Sequence, residues 1–208
     1  MRHIAAVLAC LAVPAPLAAA EVTVLDESGA CLELALTGTI DRGDPERLAL
    51  VLGRTVSGRG RIRVLIWLNS GGGDLKAGLR LASVVLDVRR RLATGGVVAT
   101  VVGADDECDS ACVPVFGAGQ ERLLVAGGRI GLHRGSEQGG NEGGSSGAGG
   151  ESVASRSDTI VAADLLHSFG LPASAVGRMV TTPPGEMSYL TAEELATMRV
   201  RVLNSIPR

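Results

Sequence analysis

Apolar residues along this chain fall into two kinds of pattern, short continuous runs and stripes at helical spacing, and the two alternate. Val64-Leu65-Ile66-Trp67-Leu68 is an unbroken apolar run and predicts a strand buried on both faces. Leu75, Leu79, Ala82 and Leu86 follow at helical spacing, ahead of Arg89 to Arg91, and predict a long helix with cations at its C-terminal end. Val97 to Val102 predicts a second strand, and Leu123 to Val125 and Ile130 to Leu132 predict two shorter ones. Upstream, Val22 to Leu25 and Cys31 to Ile40 alternate apolar and polar residues about Ser28-Gly29, the pattern of a hairpin. Asp44-Pro45-Glu46 reads as the N-cap, first position and first-turn acid of a helix. Downstream, Thr159 to Ser168 and Pro172 to Val180 are helical, and Thr191-Ala192-Glu193-Glu194 reads as a capping box opening a last helix. Strands alternating with helices predict an α/β fold.

Two segments stand outside this alternation. Met1-Arg2-His3, the apolar stretch Ile4 to Val13, and the small residues Ala18 to Ala20 have the layout of a cleavable signal peptide. That apolar stretch is shorter than the ~20 residues a spanning helix needs. A mature chain beginning near Glu21, exported to the periplasm or secreted, is therefore expected. Arg134 to Asp158 is mostly glycine and serine with scattered charges, too polar to offset the entropy of ordering it, and predicts a mobile loop. Residues 21–208 are of a size to form one domain.

Composition narrows the partners. A formal net charge of −2 and an aromatic content of 2% supply neither a basic field for phosphates nor rings for base stacking, so nucleic acid is not an expected partner. Past the signal peptide the cysteines are Cys31, Cys108 and Cys112. In an oxidising compartment two of them can pair. A Cys108–Cys112 bridge would clamp the turn between them; reduced thiols, or pairing with Cys31, are the alternatives. With no Cys-x-x-Cys and few histidines, no metal or other cofactor is expected.

The chemistry-bearing residues are Cys108-Asp109-Ser110-Ala111-Cys112, with Asn69-Ser70-Gly71-Gly72-Gly73-Asp74 upstream and His133 downstream. A serine nucleophile needs a base to take its proton and backbone N–H groups to hold the oxyanion. Ser110, His133 and the glycine loop are candidates for these parts, in a workable order. Each has a plainer reading beside it: Ser110 as a helix N-cap, His133 as a strand-end histidine, the glycines as an ordinary strand-to-helix turn. Lys76, the sole lysine, and the acidic run Asp105-Asp106-Glu107 read as solvated residues, and His167 as a partner of its helix dipole.

Taken together, Asn69 to Gly73, Ser110-Ala111 with Ala118-Gly119, and Ile130-Gly131-Leu132-His133 resemble the Clp peptidase family, and Tyr189 to Glu194 extends the likeness more weakly. The resemblance implies a single crotonase-like domain of repeated ββα units. It implies Ser110 as nucleophile, His133 as general base, and the amides of Gly73 and Ala111 as the oxyanion hole. The family's catalytic aspartate would fall around Met179 to Pro183, where Thr181 and Thr182 stand and no carboxylate does. Glu186 is the nearest acid in sequence, Asp158 and Asp164 are others, and a threonine hydroxyl or a backbone carbonyl could orient the imidazole more weakly. The handle that helps the family assemble rings is replaced by the Gly/Ser-rich segment, so stacked heptameric rings are not expected, and a homo-oligomer of another kind stays open. Export also removes the ATP that would drive an unfoldase partner. The expectation is an ATP-independent serine peptidase acting on peptides or proteins. An inactive relative that binds peptides or an envelope partner is the alternative, and a crotonase-type acyl-CoA enzyme is a third reading, disfavoured by export.

Overall fold

The computed structural model describes residues 19–56, 62–92, 95–135 and 153–206. The expected signal peptide, except for its last two residues, and the part of the Gly/Ser-rich segment from 136 to 152 lie outside the described residues.

The expected hairpin is formed by β1 (Glu21–Asp26) and β2 (Cys31–Thr37), paired antiparallel. In β2 every second side chain is buried, Leu32, Leu34 and Leu36, so one face of the hairpin meets the core. The helix α1 (Asp44–Val56) follows, its first turn tied by the Asp41 N–H donating to the Asp44 carboxylate at 2.7 Å. Next come β3 (Arg63–Asn69) and α2 (Leu75–Arg91). The Asp74 side chain caps α2 by accepting the Ala77 N–H at 2.8 Å, and Ala77, Leu81, Val85 and Val88 form its buried stripe.

β4 (Val97–Val102) leads to a short strand, β5 (Glu107–Asp109), then to a 3₁₀ turn (Ser110–Cys112) that runs into α3 (Val113–Gly117). β6 (Glu121–Val125) and β7 (Arg129–Leu132) repeat the step, and α4 (Val153–Ser168) and α5 (Ala173–Thr181) follow. β8 (Ser188–Tyr189), α6 (Ala192–Thr197) and β9 (Val200–Leu203) complete the described chain. The chain is an α/β protein of one domain.

The main sheet has the order β1-β2-β3-β4-β6-β9, parallel throughout except for β1. A second sheet, β5-β7-β8, joins β5 to β7 in parallel and β7 to β8 antiparallel. The main core includes Leu34, Ile66, Leu81 and Phe116, while Leu65, Ala99, Val101 and Leu123 form a smaller cluster that half-buried Trp67 and Leu203 help cover. β3 is thus covered unequally on its two faces, which is how one apolar run can contain a half-buried tryptophan.

Four elements depart from the sequence-based expectation. β5 begins at Glu107, the last residue of the acidic run read as solvated, because its strand character comes from pairing with β7 and with Ser70 rather than from its own three residues. α4 begins at Val153, inside the segment expected to be mobile, since the helix extends upstream once its later face, Ala162 and Leu166, is docked. β8 and β9 are strands that their short patterns did not announce.

The C-terminal elements are tied together by Arg178 on α5. Its guanidinium donates to both carboxylate oxygens of buried Glu194 on α6, at 2.7 and 2.8 Å, and to Ser188 Oγ on β8 at 2.8 Å. The same Glu194 accepts the Thr191 N–H at 2.9 Å, completing the expected capping box. Arg178 and these hydrogen bonds lower the Glu194 pKa from 4.5 to about 2. A depressed carboxylate stabilises the fold above its unfolded pKa and loses that contribution as pH falls toward the folded value. Glu194→Gln is therefore expected to lose about 2 kcal/mol at pH 7, after allowing for the solvent around Arg178. In urea unfolding, the gap between wild type and variant should close as pH falls from about 4.5 toward about 2; a gap independent of pH would show that the ion pair is not its source.

Candidate active site

The glycine loop is stitched to two neighbouring segments by hydrogen bonds. Ser70 N–H donates to the Glu107 carbonyl at 2.7 Å and its own carbonyl accepts the Asp109 N–H at 2.9 Å, so the end of β3 pairs with β5. The Ile40 N–H donates to the Gly72 carbonyl at 2.8 Å, and the Asp74 N–H to the Ile40 carbonyl at 3.0 Å. The buried Ser70 hydroxyl donates to the Gly38 carbonyl at 2.6 Å and accepts the Gly72 N–H at 3.2 Å. Gly73, at φ +142°, lies so close to Ile40 that a Cβ would collide with its backbone. Gly73 is exposed, and its N–H donates to no backbone acceptor among the described residues.

β5 passes directly into the 3₁₀ turn, and the chain bends at Ser110, whose φ is +54°. That conformation costs a residue with a Cβ about 1–2 kcal/mol and persists only when its surroundings enforce it. A serine presented at a sharp strand-to-helix turn is a known way of exposing a nucleophile. Here a Cys108–Cys112 disulfide closes the turn across Ser110, with both cysteines fully buried, and among the described residues Cys31 is the free thiol. Gly72 backs the turn from the other side. A Cβ on it would lie 2.7 Å from Ser110 Cβ and 2.9 Å from the Asp109 carbonyl oxygen. The Ala111 nitrogen is 3.2 Å from the same point, which places the second expected oxyanion donor beside the glycine loop.

His133 follows β7 directly and is half-buried. Its Nδ1 is 2.7 Å from the Arg134 carbonyl oxygen. A carbonyl only accepts, so Nδ1 is the donor and, in the neutral tautomer this selects, Nε2 is the nitrogen with the lone pair. Arg134 is held in turn by its N–H donating to the Thr182 carbonyl at 2.9 Å. The segment around Thr182 thus positions the histidine through main chain rather than through a side chain. No carboxylate makes a hydrogen bond or ion pair with His133 among the described residues. Glu186 is exposed, in a turn closed by its own N–H to the Pro183 carbonyl, and neither it nor Asp158 or Asp164 is hydrogen-bonded to His133 among the described residues.

Ser110 and His133 line one pocket, with Leu75, Pro114, Leu132, Ala162, Leu166 and Met179 contributing apolar walls. The wall residues on α4 and α5 were not recognisable in sequence, because nothing in a helical stripe says which of its members faces a cavity. No group of three or more metal-ligating side chains occurs among the described residues.

Asp109 is a second feature the sequence did not single out. It immediately precedes the candidate nucleophile, is 3% exposed, and has an Oδ1 without a hydrogen-bond partner. Its carboxyl occupies the space left by the missing side chain of Gly131, its cross-strand partner, beside Met187. Burial, followed by the nearby charge of Glu107, raises its pKa from 3.8 to about 6 against the opposing influence of Arg129 and the Gly131 amide. Arg129 itself is bound to Glu107 at 3.3 Å and stacks on the Tyr189 ring at 4.9 Å, so its charge is directed outward. An acid motif between two cysteines was the available clue.

No protein-family model matches the sequence, and no curated protein matches it at the sequence level. Among solved structures, ClpP1 from Listeria monocytogenes superposes with a TM-score of 0.59 at 15% identity, over 84% of this chain and 92% of that one. A point variant of the same protein gives 0.56 at 16% identity, over 83% and 91%. The chain therefore has a Clp-like α/β fold.

The Asp109 geometry carries a stability consequence. A carboxyl whose folded pKa is raised favours the fold at low pH and loses that contribution as pH rises through the folded value. Asp109→Asn should be about 2 kcal/mol more stable than wild type at pH 7.5 and nearly equal to it at pH 3.5, where both carry a neutral side chain. Urea unfolding at the two pH values checks this; a variant less stable at pH 7.5 would mean that the ionised carboxylate is used by the fold.

Proposed function

We propose that this chain is an exported, ATP-independent serine peptidase that works through a Ser110–His133 pair. The observation that carries the proposal is the convergence of these two side chains on one pocket, with Ser110 held at positive φ between a disulfide and the glycine loop. In the proposed reaction His133 Nε2 takes the Ser110 proton as Oγ attacks the substrate carbonyl carbon. The oxyanion is received by the N–H groups of Gly73 and Ala111, and His133 returns the proton to the departing amine as the C–N bond breaks. Water then cleaves the acyl-enzyme ester by the same path in reverse, restoring Ser110. A donor of this kind contributes about 10²–10³ in kcat where it has been removed.

The backbone carbonyl of Arg134 orients His133 but carries no full negative charge to stabilise an imidazolium. Loss of the triad carboxylate costs about 10⁴ in turnover elsewhere while leaving measurable catalysis, so a slow hydrolase is the form expected. The same observation supports the second reading, an inactive Clp-like protein whose pocket binds peptides or an envelope partner. Export is read from Met1 to Ala20, and independence from an ATPase follows from it. The repeated step from main sheet to second sheet to helix, seen at β4-β5-α3 and β6-β7-α4, supports reading the fold as ββα units of crotonase type.

A fluorophosphonate probe tests the activated serine directly. Wild type is expected to be labelled, Ser110→Ala and His133→Ala not, and Glu186→Gln within about twofold of wild type, since main chain rather than Glu186 orients the imidazole. Unlabelled, folded wild type would favour the binding protein, and loss of labelling in Glu186→Gln would restore a carboxylate to the site.

A further inference from the structure

The pocket shared by Ser110 and His133 is small, and its size is set by the core. Its volume is about 20 Å³, enough for one water or one to two carbon atoms, since a single water takes roughly 10–15 Å³ in this measure. Beyond the serine and histidine its walls are mainly apolar carbon, and four of them are core side chains. Leu132 and Leu166 are 1% exposed, Ala162 2% and Met179 5%. Packed interiors do not yield space without displacing neighbours, so the cavity cannot widen freely to receive a large group. Met179, unbranched and flexible at the end of α5, is the wall that gives most easily.

We infer that the peptidase proposed above selects a small aliphatic residue, alanine above all, on the acyl side of the bond it cleaves. The inference rests on that Ser–His reading. A methyl group fills the volume present. An isobutyl or benzyl group would have to push Leu166 or Met179 out of the core. A charged side chain would meet, among the described wall residues, no carboxylate, lysine or arginine, and would be desolvated against mainly apolar carbon. Leu166 and Met179 are accordingly the specificity-determining residues. They act on the choice of substrate rather than on proton transfer, because neither carries a titratable group.

The test uses the full chain and fluorogenic peptides that differ only in the residue donating the carbonyl, namely glycine, alanine, leucine or phenylalanine. A fluorophosphonate bearing an ethoxy group serves as an independent report on Ser110. The expected order in kcat/KM places alanine at least about 10-fold above leucine and phenylalanine. Alanine should exceed glycine by roughly fourfold, the worth of one buried methyl. Leu166→Ala should move the preference toward leucine. Met179→Ala should do the same and guards against a failure of the first variant to fold. If Ser110 reacts with the fluorophosphonate but leucine or phenylalanine is preferred in wild type, the small-residue inference is overturned and the hydrolase reading stands. Folded pocket variants whose preference does not move overturn it as well. A folded protein that reacts with neither probe nor peptide overturns both.

Discussion

The structure depends on a short run of backbone hydrogen bonds around Ser70. At that residue β3 stops pairing with its main-sheet neighbours and pairs with β5 instead, through the Glu107 carbonyl and the Asp109 N–H. The next residues must turn beneath Ser110, pass within backbone contact of Ile40 and open a capped helix at Leu75. Five residues therefore serve as strand end, glycine turn and helix start. Side chains at Gly72 or Gly73 would break the arrangement by collision, which is why glycine is required at both. Ser70 supplies what the glycines cannot. Its buried hydroxyl satisfies the Gly38 carbonyl and the Gly72 N–H, leaving neither unpaired in the interior.

Ser110 inherits its position from this loop. The residue is strained, and strain persists only where several contacts agree. The Cys108–Cys112 bridge constrains the turn from within while the loop constrains it from behind. His133 is positioned by a different route, through Arg134 and the Thr182 carbonyl, and so depends on how α5 packs. The Arg178–Glu194 pair ties α5 to β8 and α6, making a remote ion pair part of the support for the candidate base. Asp109 is the costly element of the design, a buried acid with one oxygen unpaired, next to the residue on which chemistry would turn.

Much of this was legible in the residues because it was local. The apolar run at Val64 to Leu68, the stripe on α2 and the Thr191 to Glu194 capping box are patterns whose meaning is complete within a few positions. Ser110, the glycine loop and His133 could be nominated because their chemistry is recognisable by type and order. What could not be read was set by distant partners. β5 is a strand only because Ser70 and β7 flank it, and Asp109 is buried only because Gly131 leaves room. The group beside His133 was illegible for the same reason: among the described residues it is a main-chain carbonyl, which every residue possesses and no sequence distinguishes.

The central claim is that Ser110, held by the Cys108–Cys112 bridge and the glycine loop, and His133, oriented by main chain, act as nucleophile and base. Its most direct measurement is the rate of phosphonylation as a function of pH, with the modified residue located by peptide mass mapping. The account predicts a single adduct on Ser110 whose rate rises through one ionisation, and loss of that rise in His133→Ala. An adduct elsewhere, or a Ser110 rate whose pH dependence is unchanged without His133, would contradict it.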